Sequence, residues 1–286
     1  MEKTNEILVS RKIVIATMLF TISLLSTTLA QNKFSISTSL SIIGGSFSDN
    51  SHRSSYYLYG GVRYQAQDYY LSLNLPLVFN SSGSFTQVGG MYIPNDGTNN
   101  NADEGMQSSS NHGSMMSGGH EMFPGNVGIG DLYLYGSYNI LDEKSFLPGF
   151  STNGYVKFPT AAASLGIGTG KFDYSLSMSL YKFIKTFSLY LQVGYLFLGK
   201  PDNSEIENPI VLSFGIGNSF GNGKHLLLLG YDSYSTIQYG YTSPEQISLG
   251  YTYFINSNYS IFLISSIGLN SSTSDYTLSA GINFNI

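Results

Sequence analysis

The chain of 286 residues contains no cysteine. Disulfide scaffolds, thiolate metal sites and thiol catalysis are therefore excluded. Charge is also scarce: Asp, Glu, Lys and Arg make up 11% of the residues, against roughly 25% in an average soluble protein. The 13 Lys and Arg are outnumbered by 18 Asp and Glu, for a formal net charge of −5. With a pI near 5.3, the chain lacks the basic surface that nucleic-acid binding needs. The small imbalance and an aromatic content of 14% count against disorder driven by charge. Beyond residue 30 no apolar run is long enough for a membrane-spanning helix. What is present instead is 32 Gly, 23 Tyr and 18 Phe, with a mean hydropathy of +0.01.

Residues 1–30 have the three parts of a secretory signal peptide. Arg11 and Lys12 form the positive region, Ile13 to Leu25 the apolar stretch, and Thr28-Leu29-Ala30 the small-residue cleavage site. The apolar stretch is shorter than the 17–25 residues of a membrane anchor. Export is expected, with residues 31–286 forming one domain.

That domain repeats segments of about ten residues in which apolar and polar positions alternate, the strand period. In 276–286, Tyr276, Leu278, Ala280, Ile282, Phe284 and Ile286 share one face, with Thr277, Ser279, Gly281, Asn283 and Asn285 on the other. Segments 69–79, 172–181 and 187–197 follow the same rule. The whole chain yields twelve such strands, near 33–43, 55–66, 68–79, 129–140, 149–159, 171–182, 186–198, 209–220, 225–235, 245–255, 258–269 and 275–286. Their connections alternate short and long, the longest being a Gly/Ser/Met/His-rich loop at 80–128. An even strand count with short turns on one rim and longer loops on the other predicts an all-β fold. It is a closed antiparallel transmembrane β-barrel of the bacterial outer-membrane type, its short turns and both termini periplasmic. Closure pairs every backbone amide without leaving an edge in hydrocarbon. A secreted β-sandwich is the competing fold, and the leucine-rich outward faces and scarce charge count against it.

With the apolar face outward, Arg63, Asp131, Lys157, Asp173, Gln192 and Asp232 point into the lumen, joined by Tyr133, Tyr135, Tyr155, Tyr181 and Tyr190. These are candidate lining residues of a polar conduit with aromatic steps. Arg63 and Lys157 are also expected to pair with Asp131 or Asp173, neutralising buried charge. Within the long loop, residues 103–122 gather Met106, Met115, Met116 and Met122 with His112 and His120. Thioethers and imidazoles suit soft ions, so this segment is a candidate Cu(I) or Ag(I) site. The competing reading is a low-complexity surface loop. The loop is expected outside the cell or folded into the lumen as a constriction, with Gly125, Gly128 and Gly130 as its hinge.

The histidines at 52, 112, 120 and 225 lie in loops or beside a turn, and none faces outward on a strand beside a patterned serine. G-x-S-x-G and H-E-x-x-H are absent. An enzyme is not expected.

The stretches Gly128-Ile129-Gly130-Asp131, Lys157-Phe158-Pro159-Thr160, Gly166-Ile167-Gly168-Thr169-Gly170, and Gly194-Tyr195 with Gly199 occur in this order. In that order and spacing they resemble the meta-pathway phenol-degradation family of outer-membrane transporters, from about residue 54 to the end. The resemblance implies an outer-membrane barrel that moves small, aromatic compounds. One departure is the last residue, Ile286, where such barrels usually end in an aromatic; Phe284 stands two before it. The reading is then a porin-like transporter for small aromatic or hydrophobic molecules in the outer membrane of a Gram-negative cell. Its expected partners are membrane lipid, the solute and the barrel-assembly machinery. The alternatives are a copper- or silver-handling protein using 103–122 and a non-conducting structural barrel.

Overall fold

A computed structural model describes residues 33–47, 51–80, 85–94, 126–161, 167, 169–200 and 206–286. The wall begins with β1 (Lys33–Ser46), β2 (His52–Gln65) and β3 (Tyr69–Asn80). A hairpin, β4 (Phe85–Val88) and β5 (Met91–Pro94), follows. The wall resumes with β6 (Asn126–Ile129), which runs into β7 (Leu132–Leu141). It continues through β8 (Gly149–Phe158), β9 (Asp173–Ile184), β10 (Phe187–Phe197) and β11 (Ile210–Phe220). The last four strands are β12 (His225–Tyr234), β13 (Glu245–Phe254), β14 (Tyr259–Gly268) and β15 (Tyr276–Asn285).

Each wall strand pairs antiparallel with its sequence neighbour, and β1 pairs β15 from Ser35↔Asn285 to Gly44↔Tyr276. The sheet therefore closes. With β6 and β7 as two parts of one crossing, the barrel has twelve strands, as the alternation predicts. Turns such as Gly221-Asn222-Gly223 and Lys185-Thr186 join strands on the terminal rim, with positive φ at Lys185, Gly221, Asn222 and Gly223.

The two faces separate as period two requires. Phe34, Ile36 and Leu40 of β1 face outward, whereas Ser41 is buried inside. Along β10, Leu189, Leu191 and Val193 are exposed while Ser188, Tyr190 and Gln192 are buried. Rings border the outward apolar band at both rims. Tyr64 contacts Phe34 and Tyr69 at the short-turn rim, and Phe158 contacts Phe172 and Tyr174 contacts Phe197 at the other. This is the apolar band with aromatic girdles that fits a bilayer.

Small inward residues leave room for rings. Tyr181 lies across Gly149, its direct partner, and Tyr190 across Gly215. A Cβ at either glycine would overlap the tyrosine ring.

Candidate functional site: a hairpin and a braced seam in the lumen

The β3 pairing shifts by one residue partway along. Leu77 faces Ile129 in β6, but Asn74 faces Tyr133 in β7. Two residues, Leu75 and Pro76, thus oppose three, Gly130 to Leu132, which is a β-bulge. It reverses the phase of the strand. Val127 and Ile129 face outward above it, whereas Asp131 and Tyr133 turn inward below it. Pro76 has no N–H to give the ladder, but its carbonyl accepts from Gly130 N at 2.8 Å. Gly130 packs so closely that a Cβ would lie 2.8 Å from Pro76 Cγ. Thr160 braces the gap: its Oγ1 accepts from Leu132 N at 2.9 Å and donates to Gly130 O at 3.0 Å.

The bulge aims Asp131 at Lys157. The Lys157 ammonium, 1% exposed, lies 2.6 Å from Asp173 Oδ2 and 3.8 Å from Asp131 Oδ2, with Thr169 Oγ1 at 3.5 Å. Two carboxylates face one cation, and backbone amides supply the balance. Ala161 N donates to Asp131 at 2.9 Å and Gly199 N to Asp173 at 2.8 Å. Such hydrogen bonds are what a buried charge cluster needs to be tolerated. The four motif segments therefore meet at this junction: Gly130-Asp131, Lys157 with Thr160, Thr169, and Gly199.

Beside the junction the hairpin enters the lumen. Phe85 packs with Ile43, Phe47, Tyr57, Val78 and Ile167. Val88 and Met91 pack with Tyr133, Tyr155, Leu196, Val211 and Tyr234. Hydroxyls hold its backbone and polar side chains. Tyr59 donates to Gln87 Oε1 at 2.8 Å and lies 2.5 Å from the Tyr92 hydroxyl. Tyr234 accepts from Gly90 N at 2.7 Å, and Ser274 N donates to Tyr92 O at 2.8 Å. Burial raises the Tyr92 phenol above its ordinary range. The phenol stays protonated and remains a donor. The long loop thus constricts the lumen with residues 85–94. Of the expected hinge glycines, Gly128 lies in β6 and Gly130 at the bulge, and Gly125 lies outside the described residues.

The other candidate lining residues lie lower or across the lumen. Tyr133, Tyr135 and Tyr155 form one ring cluster with centroids 5.7–6.4 Å apart. Gln192 accepts from Ser179, which accepts from Asn153 Nδ2 at 2.7 Å. Asp232 accepts from Gln246 at 3.2 Å. The Arg63 guanidinium sits 4.2 Å above the Tyr70 ring. Lys157 reaches both Asp131 and Asp173. His225 opens β12 on the outward face among Phe220, Tyr251 and Tyr253, its Nδ1 2.8 Å from the Tyr251 hydroxyl. Met106, His112, Met115, Met116, His120 and Met122 lie outside the described residues. Sequence reading missed Tyr59, Tyr92 and Tyr234 as contributors, and held Thr160 only as the end of the Lys157-Phe158-Pro159-Thr160 segment. Gly89-Gly90 between two β-prone quartets is the signal that could have disclosed the hairpin carrying Tyr92.

Residues 69–286 match the family described as "Putative MetA-pathway of phenol degradation". The chain belongs to this family. No curated protein matches the sequence. Among solved structures, the chain of this family member is similar to an outer membrane channel from Pseudomonas putida F1. The TM-score is 0.60 at 11% identity, covering 91% of this chain and 97% of that one. Also similar are the KdgM porin in complex with oligogalacturonate (TM-score 0.48, 8% identity, 87% and 98% covered) and the toluene transporter TodX of P. putida (0.41, 11%, 90% of each). The first of these likenesses establishes the fold of an outer-membrane barrel channel.

Proposed function

We propose that the protein is a passive channel for small aromatic or amphipathic solutes in the bacterial outer membrane, closed at its outer mouth by the β4–β5 hairpin. An N-terminal signal would export the chain, and the barrel-assembly machinery would insert it. The observation carrying this reading is the ring cluster of Tyr133, Tyr135 and Tyr155 directly against the hairpin residues Val88 and Met91. Rings beside small polar side chains such as Ser137, Ser151 and Ser177 offer an aromatic solute stacking on one side and hydrogen bonds on the other. A charged solute would meet one ammonium and two carboxylates already engaged with one another and with Ala161 N and Gly199 N.

Uptake of a nitrophenyl galactoside into liposomes loaded with galactosidase tests the reading, because the sugar slows its passage through bare lipid. Proteoliposomes should turn over the glycoside faster than empty ones, and faster again after residues 85–94 are replaced by a short Gly/Ser linker. No flux above empty liposomes with either protein would overturn the channel.

A further inference from the structure

Among the described residues, one turn of the short-turn rim carries two adjacent large apolar residues at its tip. The turn between β7 and β8 places Phe146, 96% exposed, and Leu147, 64% exposed, at its tip. The neighbouring short turns carry Gln67-Asp68, Lys185-Thr186, Gly221-Asn222-Gly223-Lys224 and Asn256-Ser257-Asn258 at theirs, with a single apolar residue, Ile255, 50% exposed at the start of the last. Lys182 decides the direction in which this turn leans. It alternates with inward Tyr181 and Phe183 and pairs with outward Leu189, so it faces outward from β9. Its ammonium gathers the turn from that side. It donates to Ser145 O at 2.9 Å, Leu147 O at 3.4 Å, the Lys144 carbonyl and the Glu143 carboxylate. Inside the barrel a second tie, Asn139 Nδ2 to Asp142 Oδ1 at 2.7 Å, fixes the base of the turn.

The turn is therefore drawn toward the outward face, where Ile140, Leu141, Leu180, Ile184 and Phe187 continue the apolar band. Lys182 satisfies carbonyls that an interface with little water would leave unpaired, and Glu143 balances its charge. We propose that the 142–148 turn is a membrane anchor that seats Phe146 and Leu147 in the lipid leaflet at the short-turn rim. Continuity with the lipid-facing band names the occupant as phospholipid. The anchor does not depend on which solute the barrel carries.

The chain has no tryptophan, so Phe146→Trp and Leu147→Trp each create a single reporter in the full-length protein. Tyr239→Trp, on an exposed loop at the opposite rim, is the water-facing reference. In vesicles, both anchor reporters should emit to the blue of the reference and be quenched by phospholipid brominated on its acyl chains. Emission as red as the reference, with no quenching, would overturn the proposal. So would a blue shift that brominated lipid leaves unquenched and that grows with protein density, since a second copy would then cover the tip.

Discussion

At the scale of single residues, the lumen junction shows how one cation organises several chain segments. Removing it strands two carboxylates that are 6% and 2% exposed, Asp131 and Asp173. Lys157→Met should destabilise the barrel by about 3–5 kcal/mol, the usual cost of breaking a buried pair from one side. Adding Asp131→Asn and Asp173→Asn should recover much of the loss. Urea unfolding of the three proteins in vesicles reads both effects, and a triple variant no more stable than Lys157→Met would contradict the charge account. Thr160 acts on the backbone instead. Thr160→Val keeps the shape but leaves Leu132 N and Gly130 O without their bridge, which should cost about 1–3 kcal/mol in the same assay. Lys157 and Asp131 were legible in the sequence because alternation alone sends a charged residue inward. Thr160 stood out only as the end of a family motif, and its bracing role was not legible: that role arises from a bulge, and one inserted residue leaves no mark on strand-by-strand counting except the Gly130 beside it.

At the scale of elements, legibility follows burial on one face or two. Each wall strand meets lipid on one side and lumen on the other, so its sequence alternates and its position can be read to within a few residues. The hairpin meets protein on nearly every side. Phe85, Gln87, Val88, Met91 and Tyr92 are all buried, and two four-residue strands with no polar face carry no period to detect. Its mark is Gly89-Gly90, with positive φ at Gly89 as the first central residue of a type II′ turn requires. Packing and hydrogen bonds hold this element in the lumen, and two of those bonds come from the Tyr59–Tyr92 and Tyr234–Gly90 contacts. Tyr92→Phe with Tyr234→Phe removes both at about 1 kcal/mol each, enough to raise an undocked population roughly 10- to 30-fold. Planar-bilayer recordings should show open events correspondingly more often, at unchanged single-channel conductance. An unchanged opening frequency would mean that apolar packing alone holds the hairpin.

At the scale of the whole molecule, scarce charge and near-zero mean hydropathy are the average of two opposite surfaces held back to back by a closed sheet. The outward surface carries the leucines and girdle rings, and the departure at the C-terminus is absorbed there. Phe284 stands on the outward face at the short-turn rim, its ring 4.9 Å from Tyr259, while Ile286 N still pairs with Phe34 O at 2.8 Å. If this surface meets a bilayer, the cost of a charge on it depends on depth. Leu249 lies at the middle of β13, facing outward, and Tyr276 lies at the long-loop end of β15, also facing outward. Leu249→Arg should destabilise by about 2–4 kcal/mol and Tyr276→Arg by about 0–1 kcal/mol, the known fall from midplane to interface. Urea titrations in vesicles separate the two, and the same pair in detergent micelles, where depth is poorly defined, should differ less. Equal losses in vesicles would mean that the outward band does not lie across a bilayer. The channel reading would then fail with it, because a lumen joins two compartments only if its wall crosses the membrane between them.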